Sequence, residues 1–497
     1  MDTANIENTN NNEQTDRPLY LKVINLIEDL IVPFVSSNNE VFVDWLENGF
    51  TKTYHIDSPD LKRTLQSISF NDLNKLLRDD SYRMVKDYLC AKAYISGIQL
   101  PVHLRTHYDG ENIYYNLANS SAEIVKISST GWIIEQNSDV KFHKTRNMLS
   151  NVNPSPQGTG DLNLLKKYIN YSSNEQWYLI ATWLLSTCYR KPYVVLLFIG
   201  QQGTAKSSSS KNLIEVVDPC LAPLNSKPRK EQDVFISASS RHLLGYDNIS
   251  GINAHVSDLL CRISTGAGLE LRRLHTDSEQ TVFNTANPMI LNGITDFANR
   301  GDLMSRAIFI ELPVIPPNER KTDLELTNAF QEDLPKILSG AFDCLSIALK
   351  NIDSIKLTDK PRMADFAVFG CAVSEALGIT QEDFMMAYNK NIIESNKKTL
   401  ELDPVAISIK NFLLNAPEHL WEGTMTDLLV QLDAYLPENL KRINEVPTTP
   451  AALSNTISRL APMLEISGIG VRRGRNANVR FCKLFIINND DNDVNDA

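Results

Sequence analysis

The segment Gly200-Gln-Gln-Gly203-Thr204-Ala205-Lys206-Ser207-Ser208 has the residue types of a loop that holds phosphate. It follows the β-rich run Pro192 to Ile199 and precedes a stretch, Ser208 to Val216, that reads as a helix. Small residues let successive backbone N–H groups curl around a β-phosphate, and the helix N-terminus adds partial positive charge at the same place. Lys206 would reach the β- and γ-phosphates, and the Ser207 hydroxyl is placed to coordinate Mg²⁺. The loop departs from GxxxxGK[ST] at Ala205, which stands where glycine is usual. That substitution is allowed if residue 205 has already entered helical dihedrals.

Three further positions complete a nucleotide-hydrolysing set. His242 to Asn248 reads as a second buried strand ending in Asp247, a carboxylate able to organise the shell of Mg²⁺. The next residue is Asn248, which can hydrogen-bond water but cannot take its proton. Asp258, in the helical run VSDLLCRI, is an alternative carboxylate, with a solvated helix face as its competing role. Asn292, at the end of the apolar run PMILN, can sense a γ-phosphate and position water. Arg306 directly precedes another apolar run, AIFIEL, where an arginine can project into a neighbouring subunit's site; Arg300 is a possible substitute.

These residues need a buried parallel sheet to hold them, and the chain is long enough to supply one. At 497 residues it exceeds a single core, so two to four domains are expected. Apolar residues make up 42% and charged residues 22%, the balance of an ordinary globular protein, which excludes wholesale disorder and fibrous repeats. The formal charge of −11 argues against coating nucleic acid by bulk charge, so any such site must be a local patch. Seven singly scattered cysteines suggest reduced core thiols and no zinc ribbon. The longest apolar runs are too short to span a bilayer, and residues 1–17 carry no secretory signal, so a cytoplasmic protein without membrane contact is expected. Residues 1–17 and 488–497 read as disordered tails and 18–152 as a mixed α/β N-terminal domain; NPSPQGTGD (153–161) reads as a linker. The core would occupy 161–318, a helical region 319–400, and a compact segment of three helices and a basic hairpin 403–487.

Taken in order, GQQGTAKS, LLGYDN, PMILNGI, DLMSRAIFIEL and PRMADFAVFGCAVSEALG resemble the AAA+ ATPases of the minichromosome-maintenance-like group, especially the helicase and primase-helicase ATPases of phages, plasmids and genomic islands. The resemblance covers about Asp161 to Ile379 and implies an α/β fold, a P-loop core with a parallel sheet and a helical lid; the three helices and basic hairpin that follow suggest a C-terminal winged helix. An Ala-Lys-Ser loop ending is characteristic of that group. The resemblance also implies ATP and Mg²⁺ as ligands, a ring-shaped homo-oligomer of six subunits, Arg306 as a finger in trans and Arg362 as the sensor 2 arginine. It places a channel-facing hairpin at STGAGLELRRLHTDSEQTVF, making Arg272, Arg273 and His275 candidate contacts to DNA phosphates. Asp247-Asn248 departs from the Asp-Glu of the cellular proteins and leaves the general base open.

Near the C-terminus Arg472, Arg473 and Arg475, with Arg459, Arg480 and Lys483, surround a single acid, Glu465, forming a basic patch suited to duplex DNA. In the N-terminal region His103 and His107 have the spacing of a helical metal pair, but no third ligand accompanies them, and no paired-carboxylate polymerase site is present. Two functions follow. The first is a mobile element's replicative helicase acting on single-stranded or forked DNA. The second is a nucleotide-switched scaffold or loader for replication, defence or transposition, with slow hydrolysis and no unwinding.

Overall fold

The computed structural model describes residues 17–228, 230–266, 269–272, 280–283, 286–294, 301–437, 446–476 and 479–487. It is a mixed α/β chain whose buried residues gather into distinct clusters. Arg273, His275, Arg300 and both expected tails, apart from Arg17, lie outside the described residues.

The first cluster is built by α1 (Leu19–Ile27), β1 (Ile31–Ser36), β2 (Val41–Glu47), β3 (Phe50–His55), α2 (Pro59–Leu73), α3 (Asp79–Ser96) and β4 (Gln99–Leu100). The strands order as β3-β2-β1-β4. Asn48 and Gly49, both at positive φ, make the tight β2–β3 turn, as an Asn-Gly pair is suited to do. Helix α2 starts on Ser58, whose hydroxyl accepts from Leu61 N–H, and stops at left-handed Asn74.

Next come β5 (Val102–His103) and an antiparallel meander of β6 (Thr106–Tyr108), β7 (Ile113–Asn116), β8 (Ile124–Ser128) and β9 (Gly131–Glu135), then β10 (Lys141–Phe142), which pairs with β5. The meander's inward residues Ile113, Tyr115, Val125, Ile127 and Trp132 belong to the same cluster as the core that follows residue 162. Residues 18–152 therefore do not share one core: the first part packs on itself, and the meander packs on later helices. His103 and His107 sit on strands, where the sequence spacing had suggested a helix.

The central sheet is made of β11 (Val195–Ile199), β12 (Leu244–Ile249), β15 (Met289–Gly293) and β16 (Ala307–Glu311), all parallel, in the order β12-β15-β11-β16. A separate antiparallel pair, β13 (Leu269–Arg272) and β14 (Gln280–Phe283), lies between β12 and β15 in sequence. Period-two alternation divides the sheet's apolar residues between two layers. Leu196, Phe198, Ile290, Ile308 and Ile310 join one cluster, and Val195, Leu197, Ile199, Met289, Leu291 and Phe309 the other. The first layer is covered by α4 (Asn174–Ser186) and α5 (Lys206–Val217), and the second by α6 (Glu231–Ser240) and α7 (Ala254–Thr265). Burial on both faces explains why these strands are continuous apolar runs. The four-residue α8 (Gly301–Met304) leads into β16.

Helix α9 (Asp323–Asn351) opens with a reciprocal capping box between Thr322 and Glu325 and carries Pro335 in its interior. The segment expected to be a linker is strapped along this helix. Ser155 N–H donates to Pro335 O, Asp161 N–H to Lys336 O, and Gly158 N–H to the Asp343 carboxylate. Contact is so close that a Cβ on Gly160 would stand 2.1 Å from Gly340 N, so glycine is required there. The same helix takes the meander: Trp132 Nε1–H donates to Asp343 at 2.8 Å, and Tyr115 and Trp132 pack on Phe342. Helices α10 (Ala364–Val373) and α11 (Gln381–Leu402) complete this layer through Phe366, Phe384 and Tyr388.

The last cluster contains α12 (Pro404–Asn415), β17 (Leu420–Gly423), α13 (Met425–Tyr435), α14 (Pro450–Ile466), β18 (Ile469–Asn476) and β19 (Val479–Ile486), with strand order β17-β19-β18. The short β17, absent from the sequence expectation, adds a third strand to the basic hairpin.

A buried ion pair joins the N-terminal region to the central layer. Arg105 and Asp218, with side chains 0% and 1% exposed, meet at 2.9 Å. Arg105 also donates to Asn116 O, Leu149 O and Pro219 O, while Asp218 accepts from His242 N–H and Leu243 N–H. Removing one partner strands the other charge in the core. Arg105→Ala should lower apparent stability by about 3–5 kcal/mol in denaturant unfolding; a loss below about 1 kcal/mol would mean that the pair is dispensable.

Candidate functional site

The parallel strands β11, β12 and β15 end on the same side, which is where an open α/β sheet positions ligands. Gly200 leaves β11 and Gly203 takes φ +83°, turning the chain back toward α5. A Cβ on Gly200 would lie 2.8 Å from Thr204 Oγ1, so the loop closes tightly on itself. Thr204 is fully buried and donates to Gln201 O at 3.0 Å. Asn170, from a segment distant in sequence, pins the loop by donating to Thr204 O at 2.9 Å and Pro313 O at 2.7 Å.

Ala205 corrects the expectation of helical dihedrals. It is the N-cap of α5 at φ 55°, ψ 29°, in the left-handed region. An L-residue there costs about 1–2 kcal/mol relative to a right-handed one. This conformation turns the chain into the helix, and the N–H groups of the first turn, Lys206 to Ser208, have no intrahelical acceptor to spend on. Lys206 Nζ donates to Gly200 O and Gln201 O, both at 2.7 Å. Burial pushes the Lys206 ammonium below its ordinary pKa, opposed by the Asp247 charge.

Across from the loop, Ser207 Oγ donates to Asp247 Oδ2 at 2.7 Å. Asn292 Nδ2–H donates to Asp247 Oδ1 at 3.2 Å, and Ser210 Oγ donates to Asn292 Oδ1 at 2.7 Å. The strand ends and the first turn of α5 are thus joined by one chain of side-chain hydrogen bonds. An irregularity between Tyr246 and Ile249 re-aims β12 at this point, leaving Asn248 exposed at φ 54°. Asp258 is exposed on α7 and has no hydrogen bond to Ser207, Asp247 or Asn292 among the described residues. The paired hard oxygens of Ser207 and Asp247 fit a magnesium ion. A cavity of about 620 Å³ flanks the loop, bordered by Ile169, Gly203, Ala205, Ser208, Arg320 and Lys321.

Arg306 and Arg362 come together elsewhere. Arg306 meets Asp302 at 2.5 Å, and Arg362 meets the same carboxylate at 2.7 Å while also donating to Ser305 Oγ. Burial acts to raise the Asp302 pKa, but the two arginines outweigh it and hold the carboxyl below its ordinary value. Because β11 and β16 run parallel with Ile199 opposite Glu311, Arg306 stands at the strand's start and Gly200 at the far end. Six residue steps separate these levels, about 20 Å. Neither arginine is grouped with its own chain's phosphate loop.

The candidate DNA contacts divide similarly. The backbone of Arg272 lies on β13, paired with Gln280, while Arg273 and His275 fall outside the described residues. Arg472, Arg473 and Arg475 are exposed on β18. Arg473 is tied back to α14 through Ser454 and Ser458, and Arg472 lies over the Phe485 ring at 5.5 Å. Arg472 faces Lys483 and Arg475 faces Arg480 across the hairpin, like-charge pairings that favour an anionic partner. Among the described residues no cluster of three or more His, Cys, Asp or Glu is arranged for a metal, and no helix is long and apolar enough to cross a membrane.

Sequence reasoning missed Ser210, Asn170 and Asp302. Ser210 is three residues after Ser207 and Asp302 four before Arg306, so helical spacing could have found both. Asn170 acts across the fold and carries no local signal. Ala205→Gly should raise apparent stability by up to about 1 kcal/mol in thermal or denaturant unfolding, by relieving the left-handed conformation. A loss of stability would overturn this account of the loop.

Comparison with known proteins adds to this picture. Residues 162–394 match the family model described as actinomycete integrative conjugative element replication protein, and residues 405–491 match the AICE RepA C-terminal domain. No curated protein matches the chain. Solved structures aligned with it include the A form apo structure of NrS-1 C terminal region-CTR, at 14% identity and TM-score 0.39, covering 95% of this chain and 99% of that one. The apo structure of the NrS-1 C terminal region aligns at 14% identity and TM-score 0.40, covering 95% and 100%. Over two consecutive segments, from the phosphate loop to the basic hairpin, the chain is similar to a replication protein of integrative conjugative elements.

Proposed function

We propose that the protein is an ATP-dependent DNA motor that serves replication of a mobile element. In this reading 161–318 is an AAA+ core, 319–400 its helical lid and 403–487 a winged helix, and the working form is a ring of identical subunits, six by analogy with the resembling ATPases. The observation that carries the proposal is the hydrogen-bonded set Ser207, Asp247, Asn292 and Ser210 beside Lys206, at the carboxyl ends of parallel strands. The family match supports the replication setting.

The loop N–H groups and Lys206 bind the phosphates of ATP, Lys206 exchanging its carbonyl acceptors for phosphoryl oxygens. Ser207 and Asp247 hold Mg²⁺, which supplies neutralising charge to the β- and γ-phosphoryl oxygens. Asn292, fixed from behind by Ser210, orients water toward the γ-phosphate. Arg306, whose strand level lies about 20 Å from its own loop, and Arg362, which shares Asp302 with it, act on a neighbour's nucleotide, which makes the site a property of the interface. The β13–β14 pair, which carries Arg272, and the basic β18–β19 hairpin contact DNA phosphates without reading sequence.

A second reading, a nucleotide-switched scaffold, is favoured by Asn248. It stands exposed where a carboxylate base would be expected, so proton removal from water has no assigned acceptor.

Steady-state ATP hydrolysis with and without forked DNA separates the two. A motor should be strongly stimulated by DNA, and an Arg272/Arg273 double alanine should lose that stimulation. Lys206→Ala and Arg306→Ala should each abolish turnover, by 10²-fold or more. Mixing these two inactive variants should restore part of the activity, because some interfaces then pair an intact Lys206 with an intact Arg306. Tight nucleotide binding without DNA-stimulated turnover would replace the motor by the scaffold.

A further inference from the structure

Eight histidines are scattered along the sequence, and five of them, His55, His103, His107, His143 and His242, line a single cleft. The cleft holds about 690 Å³, within the ordinary range of small-ligand sites. Its walls come from the first sheet, the β5–β6 region, the segment entering β11 and the turn before β12, and the phosphate loop contributes nothing to it. It is therefore separate from the nucleotide site.

The walls are flat rings. His103 and His107 stack with centroids 3.8 Å apart and planes at 23°. On another side His55 and His143 flank Phe42, at 5.1 and 5.6 Å. Tyr108 packs on Tyr189 at 4.6 Å. His55, His103, His107, Tyr108 and His143 are half-buried, which leaves part of each ring open to the cleft.

Two ring nitrogens, His103 Nε2 and His143 Nδ1, are buried without a hydrogen-bond partner among the described residues. Such atoms are uncommon and call for a partner. Burial lowers the pKa of His103 to about 3, assisted by His107, and that of His143 to about 4, assisted by His55. Both rings are therefore neutral near pH 7, and each presents an uncharged π-face. Glu40 is the acid on the lining, and Arg190 and Lys191 supply cations, Arg190 being shared with Asp365.

We propose that this cleft binds nucleobases, stacking them on its histidine and tyrosine rings. Every base has a π-face, so such a platform accepts bases without choosing sequence, and the basic residues can meet an attached phosphate. The ligand is either an unpaired base of a single strand or a free nucleoside; the chemistry is the same.

The test uses the full-length protein without ATP and three probes: an oligonucleotide carrying 2-aminopurine, an abasic oligonucleotide of equal length, and free 2-aminopurine riboside. Binding should quench the fluorescence of one or both 2-aminopurine probes, and the base-containing strand should compete better than the abasic one. His107→Ala, and independently His55→Ala on the other wall, should weaken this binding about five-fold or more, while His107→Phe restores it and Lys206→Ala leaves it unchanged. Quenching of the oligonucleotide alone identifies the strand as the ligand; quenching of the riboside as well identifies the free nucleoside. The proposal is overturned if neither probe is quenched, if both histidine variants bind as the parent does, or if photocrosslinks from a 5-iodouracil strand map only outside the cleft. None of these readouts depends on hydrolysis, so the motor can fail while the cleft stands, and the reverse.

Discussion

One buried charge sets the spacing of the elements that carry the candidate site. Asp218 ends the helix that begins at the phosphate loop, and its second oxygen receives the N–H groups of His242 and Leu243 just before β12 starts. It thus fixes the far end of α5 relative to the strand that delivers Asp247. A lone carboxylate in such a place would be too costly to bury, and Arg105 makes it tolerable. Arg105 in turn draws three backbone carbonyls around itself, tying the meander and the segment at Leu149 to the same point. The N-terminal region is in this sense part of the scaffold of the phosphate loop.

Given that frame, the site follows from short-range forces. Ser207, Asp247, Asn292 and Ser210 satisfy one another, so the donors and acceptors are oriented before any ligand arrives. Such preorganisation is what the proposed phosphoryl transfer would require. Lys206 is held differently, by carbonyl oxygens of its own loop, and can exchange them for stronger anionic acceptors.

What the sequence revealed and what it concealed divide by range. That Ser207, Asp247 and Asn292 belong to one place was legible, because the loop's residues are contiguous and Asp247 and Asn292 each end an apolar run; the structure joins them by hydrogen bonds. Ala205 was located but its dihedrals were misjudged: composition identifies the substitution and cannot show that the chain enters α5 through a left-handed residue. Arg105 and Asp218 are far apart in sequence and appear as ordinary surface charges until folded. The strap at 153–161 was misread for a related reason, since proline and glycine signal irregular backbone whether it is loose or clamped. The undivided N-terminal domain was misread because alternation marks strands without saying which helix will cover them.

Helix α9 has a mechanical consequence. Twenty-nine residues make a rod about 44 Å long. One side carries the strap and the meander through Trp132 and Ser128, and the other packs into the layer above the parallel sheet. A rotation of about 5° about one end moves the other by about 4 Å, close to the spacing between neighbouring strands. Hydrogen bonds at Lys336, Asp343 and Ser346 fasten the strap and the meander to the middle of the helix. One helix therefore couples the small antiparallel sheet to the layer above the central sheet.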